Sequence, residues 1–363
     1  MMAREIQSVV KTDQGVTIKT LIEIIKKKYG HEVNYKLMWD AKKKAIEWVF
    51  GDWDESYAQL PRWLAAVRSK SPGTRIEWSH RQWHDDEIST ASPQFRRVFF
   101  AFEASIQAFK FCRPLLQIDA TFLYGRYSGK LMIALSVDEN GHILPVAFAV
   151  AETESTDSWG WFLRMLRKHV TDREGICVIS DRHPDILEAV NIPINGFCPP
   201  KGYHRYCLRH LLSNFGTQFK NVVPLKVLLG RAAVQHQERK FIACMERFTY
   251  LSSRTPQCLQ YVNAIPKELW TQSHDGGMRY GWMNSNGVEC FNGVLKGARF
   301  LPITALTQMI YYRLVTYHDQ RNQEINAAIS KGQVYTEYVM KKLAKYEKIC
   351  KEVSRHVDQS RHW

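Results

Sequence analysis

Apolar residues recur at helical spacing near the N-terminus and give way to short, nearly continuous apolar runs in the middle of the chain. In residues 16–30, Ile18, Leu21, Ile22 and Ile25 share one helical face, and Gly30 is a stop signal. A second helix is predicted from about Asn34 to Phe50, with Leu37, Met38, Ala41, Ala45, Ile46 and Val49 on one side and Lys36, Lys42, Lys43 and Lys44 on the other. Gly51 ends it, and a third helical stretch follows around Tyr57–Val67. Ser-Pro-Gly within 69–75 reads as a linker. Residues 76–112 are aromatic and basic (Trp78, Trp83, Phe95, Arg96, Arg97, Phe99, Phe100) and predict a strand and a helix leading into the next domain.

The middle is more regular. PLLQIDATF (114–122) has a buried-strand pattern with a polar tip, and the two glycines in 123–129 predict a hairpin turn. GKLMIALSVD (129–138) is a second strand, Glu139-Asn140-Gly141 a second turn, and ILPVAFAVAE (143–152) a third strand. A helix over Asp157–Val170 follows capping residues, ICVISD (176–181) is a fourth strand, and Pro184 opens another helix. Strand, strand, strand, helix, strand, helix is the opening of an RNase H-like mixed α/β sheet. Beyond it, 204–270 reads as mostly helix, 286–297 as another helix, and 303–352 as helical and basic. The expected organisation is an N-terminal helical region (1–75) open to a helix-turn-helix reading, a connecting segment (76–112), an α/β domain (113–300) and a basic helical C-terminal region (301–363).

Composition narrows the function. Among 363 residues, 50 Lys and Arg face 36 Asp and Glu, a formal net charge of +14 that favours a polyanionic partner. In 296–363 alone, basic residues outnumber acidic ones 12 to 6. Eight cysteines without Cys-x-x-Cys spacing argue against a disulfide framework and for a reducing compartment. No apolar run approaches the roughly 18 residues of a membrane span, and the first residues lack a signal-peptide core, so a protein inside the cell and off the membrane is expected.

Asp119 lies near the end of the first strand and Asp181 ends the fourth. These strands are neighbours in this topology, so the two carboxylates can converge. Glu289 stands in the later helix NSNGVECFNGVLKGAR. Convergent carboxylates suit hard cations such as Mg²⁺, and two such ions can clamp the oxygens of a phosphoryl transfer. Each acid also fits a plainer role. A strand-end Asp caps the next turn, and Asn286-x-x-Glu289 fits a capping box. The lysines of 34–50 fit either DNA phosphate or a solvated face. Arg126 and Tyr127 in the hairpin, and Arg182 and His183 after the second acid, are further candidates for DNA contact.

These residues resemble Mutator-like element (MULE, MuDR-type) transposases. IDATFLYGRYSGKLMIALSVDENGHILPVAFAVAETESTDSWGWFLRML is similar to the first half of that family's catalytic domain, and ISDRHPDILEAV to its second acidic motif. HRYCLRHLLSNF is similar to its Cys-x-x-His segment, and NGVECFNGVLKGAR to its Glu-bearing helix. The likeness runs over about 110–300, and GDWDESYAQLP resembles the region that precedes the domain in plant members. The resemblance implies a DDE mechanism with Asp119, Asp181 and Glu289 as catalytic ligands of two Mg²⁺ or Mn²⁺ ions. It also implies an all-helical insertion at about 211–275, double-stranded DNA as partner, a homo-oligomer assembled on it, and a nuclear protein. Cys207 and His210 form the Cys-x-x-His pair. Zinc would need four ligands, with His204, Cys198 or His274 as the further candidates, and the other reading is a buried Cys beside a His that packs or meets DNA. Family members often carry an N-terminal Cys/His zinc module and a C-terminal SWIM zinc module. Neither pattern occurs in this sequence, which keeps open a domesticated, non-catalytic DNA-binding regulator.

Overall fold

The fold is described from a computed structural model for residues 2–80, 95–220 and 222–360; Trp83 and the final Arg361-His362-Trp363 lie outside the described residues. Seven strands form one mixed sheet: β1 (Arg75–His80), β2 (Phe95–Ala101), β3 (Leu115–Tyr124), β4 (Ser128–Val137), β5 (Ile143–Ala151), β6 (Ile176–Ser180) and β7 (Gly202–Tyr206). Their order is β1-β2-β5-β4-β3-β6-β7. The hairpin-linked strands are antiparallel, whereas β3–β6 and β6–β7 are parallel.

Side-chain alternation sorts the sheet into two faces. On β4, Leu131, Ile133 and Leu135 enter one core, and Met132 and Ala134 enter the other. The second face is covered by α6 (Glu103–Phe109), α7 (Thr156–His169) and α8 (Pro184–Asn191), through Phe109, Trp159, Phe162, Leu163 and Ile186. The first face is covered by the chain's two ends. Five helices precede the sheet: α1 (Met2–Glu5), α2 (Gln7–Thr12), α3 (Ile18–Tyr29), α4 (Tyr35–Phe50) and α5 (Trp53–Lys70). Ile6 between α1 and α2, with Leu21, Met38 and Leu60 of the helices, shares a single core with Ile133 and Phe148 of the sheet.

Four helices, α9 (Leu208–Gln218), α10 (Val223–Ala233), α11 (Glu238–Leu251) and α12 (Pro256–Asn263), build the insertion around its own core of Phe215, Leu229, Phe241, Phe248 and Trp270. The chain then returns through α13 (Asn286–Val294) to α14 (Ile303–Ser330) and α15 (Glu337–Ser360). Val288 and Phe291 of α13 and Leu306 and Ile310 of α14 complete the first face. No helix among the described residues is long and apolar enough to cross a membrane.

The predicted helix ends hold where capping chemistry set them. The Thr17 and Asn34 side chains accept from the Thr20 and Leu37 amides, and Gly30 is left-handed at φ 74°. Several expectations change. The third N-terminal helix starts at Trp53, capped by Asp52. The described part of residues 76–112 holds two strands and a helix rather than one of each. β7 lies where helix was expected, because GYHRY buries Gly202 and Arg205 and has no apolar alternation to reveal it. The C-terminal stretch breaks into two helices at Lys331–Gly332, with Gly332 at φ 69°.

The lysine face of α4 is also corrected at one position. Lys42 is buried, donates from Nζ to the Val16 carbonyl at 2.7 Å, and sits 3.9 Å from the Phe300 ring centroid. Lys36 and Lys44 remain exposed and Lys43 half-buried. Burial pushes the Lys42 ammonium down to about 8 from its ordinary 10.5. The unfolded chain therefore binds more protons than the folded chain between these values, so Lys42 makes stability fall as pH drops from 10.5 through 8. We expect the stability of wild type relative to Lys42→Met to rise by about 2 kcal/mol between pH 7.5 and 9.5 in urea unfolding. A flat difference would contradict the burial of the charge.

Candidate active site

The register between β3 and β6 pairs Leu115 with Cys177 and Gln117 with Ile179. Continued two residues past the last pair, this register leads from Asp119 toward Asp181, just beyond the end of β6, and the Asp181 charge acts on the Asp119 carboxyl. β6 stops at Ser180 while β3 runs on to Tyr124 as a hairpin arm against β4. Asp119 is therefore mid-strand but stands at the step where its parallel neighbour ends. Leu115, Cys177, Ile179 and Cys207 form a small apolar cluster directly below the two acids.

The same face of β3 receives α13. Gly287 N–H donates to Gln117 Oε1 at 3.0 Å, and Asn292 Nδ2 donates to Asp119 Oδ2 at 3.2 Å. Just beyond the helix, Arg299 bonds the Thr121 hydroxyl. Alternate strand positions 117, 119 and 121 are thus each held by the segment that carries Glu289. A side chain at 287 would bring its Cβ within 2.8 Å of Gln117 Oε1 and 2.9 Å of Ile143 Cγ2, so this close approach requires glycine. Glu289 does not act as a capping residue. Ser285, at the cap position, makes no side-chain cap bond, and the Asn286 amide donates to Asn284 Oδ1 instead. The Glu289 carboxylate turns to α9, where it pairs with Arg209 and lies 3.3 Å from His210 Nε2.

Asp181 does cap its turn: Oδ1 accepts from the His183 amide at 3.0 Å. Burial, aided by the Asp181 charge, pushes the Asp119 carboxyl up to about 6, against the opposing bond from the Ala120 amide. His210 is raised, first by its interaction with Cys207 and further by the charges of Asp181 and Asp119. Burial alone would raise the Cys207 thiol, but bonding with His210 and Ser285 prevails and brings it down to about 7. The Ser285 amide donates to Cys207 Sγ at 3.3 Å.

Other candidates lie elsewhere. Arg126 and Tyr127 pair with Asp54 at the start of α5. Their hairpin is five or more strand residues, at least about 16 Å, beyond Asp119. Arg182 bonds the Tyr261 hydroxyl at 2.6 Å, and His183 Nδ1 lies 3.4 Å from Asp185. The further zinc candidates are dispersed: His204 bonds Ser180, His274 bonds Ser273, and Cys198 packs on the Val190 and Asn191 carbonyls. Among the described residues no three His, Cys, Asp or Glu side chains gather as a metal group. Asp119 and Asp181 nonetheless offer oxygen donors of the right chemistry for a hard divalent cation. Beside them the buried Asn292 Oδ1 has no hydrogen-bond partner. Asn292 and Arg209 were not anticipated, although Asn292, three residues after Glu289, falls on the same helical face.

Burial of the Asp119 charge, with Asp181 nearby, raises the energy of the fold at neutral pH. Because the folded-state value of Asp119 lies above its ordinary 3.8, its stabilising contribution exists at low pH and is lost as pH rises through 6. With divalent cations chelated, Asp119→Asn should be more stable than wild type by roughly 1–3 kcal/mol at pH 7.5, and the gain should fade below pH 5. Thermal melts across that range measure it, and a variant less stable than wild type at pH 7.5 would contradict the cost of ionising the buried Asp119.

No curated protein matches the chain. Residues 115–214 match the family model of the MULE transposase domain, a span that runs from β3 to α9 and includes Asp119, Asp181, Cys207 and His210. Over these residues the chain is similar to the MULE transposase domain.

Proposed function

We propose that this chain is the catalytic core of a DDE transposase, which cleaves and transfers strands of double-stranded nuclear DNA with Asp119, Asp181 and Glu289. The observation that carries this reading is the register of β3 against β6, which brings two acids from distant parts of the sequence side by side under the helix bearing the third. The antiparallel β3–β4–β5 run with parallel β6 and β7 beside it supports an RNase H-like sheet.

Asp119 and Asp181 would hold the cation, with Glu289 joining them once released from Arg209. A divalent ion such as Mg²⁺ or Mn²⁺, or a pair of them, neutralises charge on the attacking and leaving oxygens of a phosphodiester. The protein's own part is preorganisation. Asn292 fixes the Asp119 carboxylate, Cys207 and the Ser285 amide fix the approach to α13, and a bound cation would offset the cost of the buried Asp119 charge beside Asp181. Lys36, Lys43, Lys44 and the basic C-terminal helices supply charge for the DNA backbone. A homo-oligomer on DNA belongs to the same reading.

The Arg209–Glu289 pair favours a second reading, a DNA-binding regulator that keeps the fold without cutting. Plasmid nicking separates the two. The first reading expects Mg²⁺- or Mn²⁺-dependent nicking that falls by about a thousandfold or more in Asp119→Ala, Asp181→Ala and Glu289→Ala, with DNA binding retained. An Asp181→Ala protein that nicks like wild type would overturn it.

A further inference from the structure

Glu289 differs from the other two acids in that a cation of the protein already occupies its carboxylate. Arg209, in the first turn of α9, pairs with Glu289 Oε2, and His210 Nε2 stands 3.3 Å from Oε1. The two partners are unequally placed: the Arg209 side chain is 60% exposed, whereas that of Glu289 is 22% exposed. The guanidinium is at the mouth of the site and the carboxylate inside it.

We propose that Arg209 is a DNA-operated latch: a backbone phosphate takes over its guanidinium, and the carboxylate it gives up turns toward Asp119 and Asp181. The proposal rests on the reading that the three acids act together. Its chemistry is an exchange of one oxyanion for another on the same planar donor fork, which binds carboxylate and phosphate alike. The magnitudes permit it. An ion pair with one partner this exposed is weak, so one phosphate contact suffices to open it.

Hydrogen bonds hold the backbone around this exchange. The Leu208 amide donates to the Met283 carbonyl at 2.8 Å, and the Ser285 amide to Cys207 Sγ at 3.3 Å. These bonds tie the start of α9 to the segment entering α13. Asn292 anchors the same face of α13 to Asp119. With α9, α13 and β3 so fastened, the proposed change falls to the Arg209 and Glu289 side chains. His210 keeps its place beside the carboxylate, so Glu289 does not lose every polar neighbour when Arg209 leaves. The latch would make the third acid available only where a DNA backbone is bound, which restrains metal-dependent chemistry in its absence.

The test uses the full chain and Mn²⁺ alone, titrated calorimetrically without DNA. Arg209→Gln should bind Mn²⁺ at least about fivefold more tightly than wild type, because a third carboxylate becomes available. Adding Glu289→Gln should erase that gain. In chelator, anisotropy with a random-sequence duplex should show Arg209→Gln weakening DNA binding and lowering the salt slope by about one, and Glu289→Gln tightening binding by freeing the arginine. If Arg209→Gln gains no Mn²⁺ affinity while Asp119→Asn and Asp181→Asn each weaken it, the latch is wrong and the three-acid reading stands. If neither Asp variant weakens Mn²⁺ binding, the three-acid reading fails and the latch with it. Arg209→Gln binding DNA like wild type overturns the latch without reference to any metal.

Discussion

Alternation along β3 decides where everything else can go. Leu116 and Ile118 point into the core beneath α6, α7 and α8, so Leu115, Gln117, Asp119 and Thr121 must point to the opposite face. A register slip of one residue would carry Asp119 into the apolar core and bring Ile118 out. The apolar residues of β3 and β6 thus fix the orientation of the acids, although they touch no substrate. Gln117, Asp119 and Thr121 then serve as three docking points for the segment 287–299, and the helix carrying Glu289 is set by the strand carrying Asp119.

The site is built where the sheet changes step. β6 ends at Ser180 while β3 continues, and the turn after β6 is held by Asp181 itself through the His183 amide. A structural role and a chemical one therefore coexist in the same carboxylate, one oxygen committed to the turn. Burial beside Asp181 makes Asp119 costly to ionise. A protein selected for stability alone would have little reason to place two acids there, and a site that gathers positive charge does.

Much of this was legible in the sequence. The strands from 115 to 180 and the helices after them announce themselves through apolar runs and turn residues, and the adjacency of Asp119 and Asp181 follows from their order. What escaped had no periodic signature. β7 is a parallel strand written in Gly, His, Arg and Tyr, recognisable only once β6 is in place beside it. Lys42 lies within a lysine run and is distinguished from its neighbours only by a carbonyl and a ring supplied from residues 16 and 300. The hairpin residues Arg126 and Tyr127 are few residues from Asp119 in sequence, but the five extended residues of β3 that follow Asp119 alone span about 16 Å. Arg209 stands inside the Cys-x-x-His motif, yet its partner is 80 residues away.

The N-terminal helices were expected as a separate region, but their apolar faces close the same core as Phe148 and Phe291. They are part of the body that holds the site, and the Asp54 contact extends that support to the β3–β4 hairpin. The central claim is that Asp119, Asp181 and Glu289 serve one cation-dependent centre. It is tested most directly by a crystal structure of the chain with Mn²⁺ and duplex DNA, located by anomalous scattering. The account predicts a peak between the Asp119 and Asp181 carboxylates with Glu289 turned toward it. A Mn²⁺ peak elsewhere, with those two carboxylates bare, would contradict it.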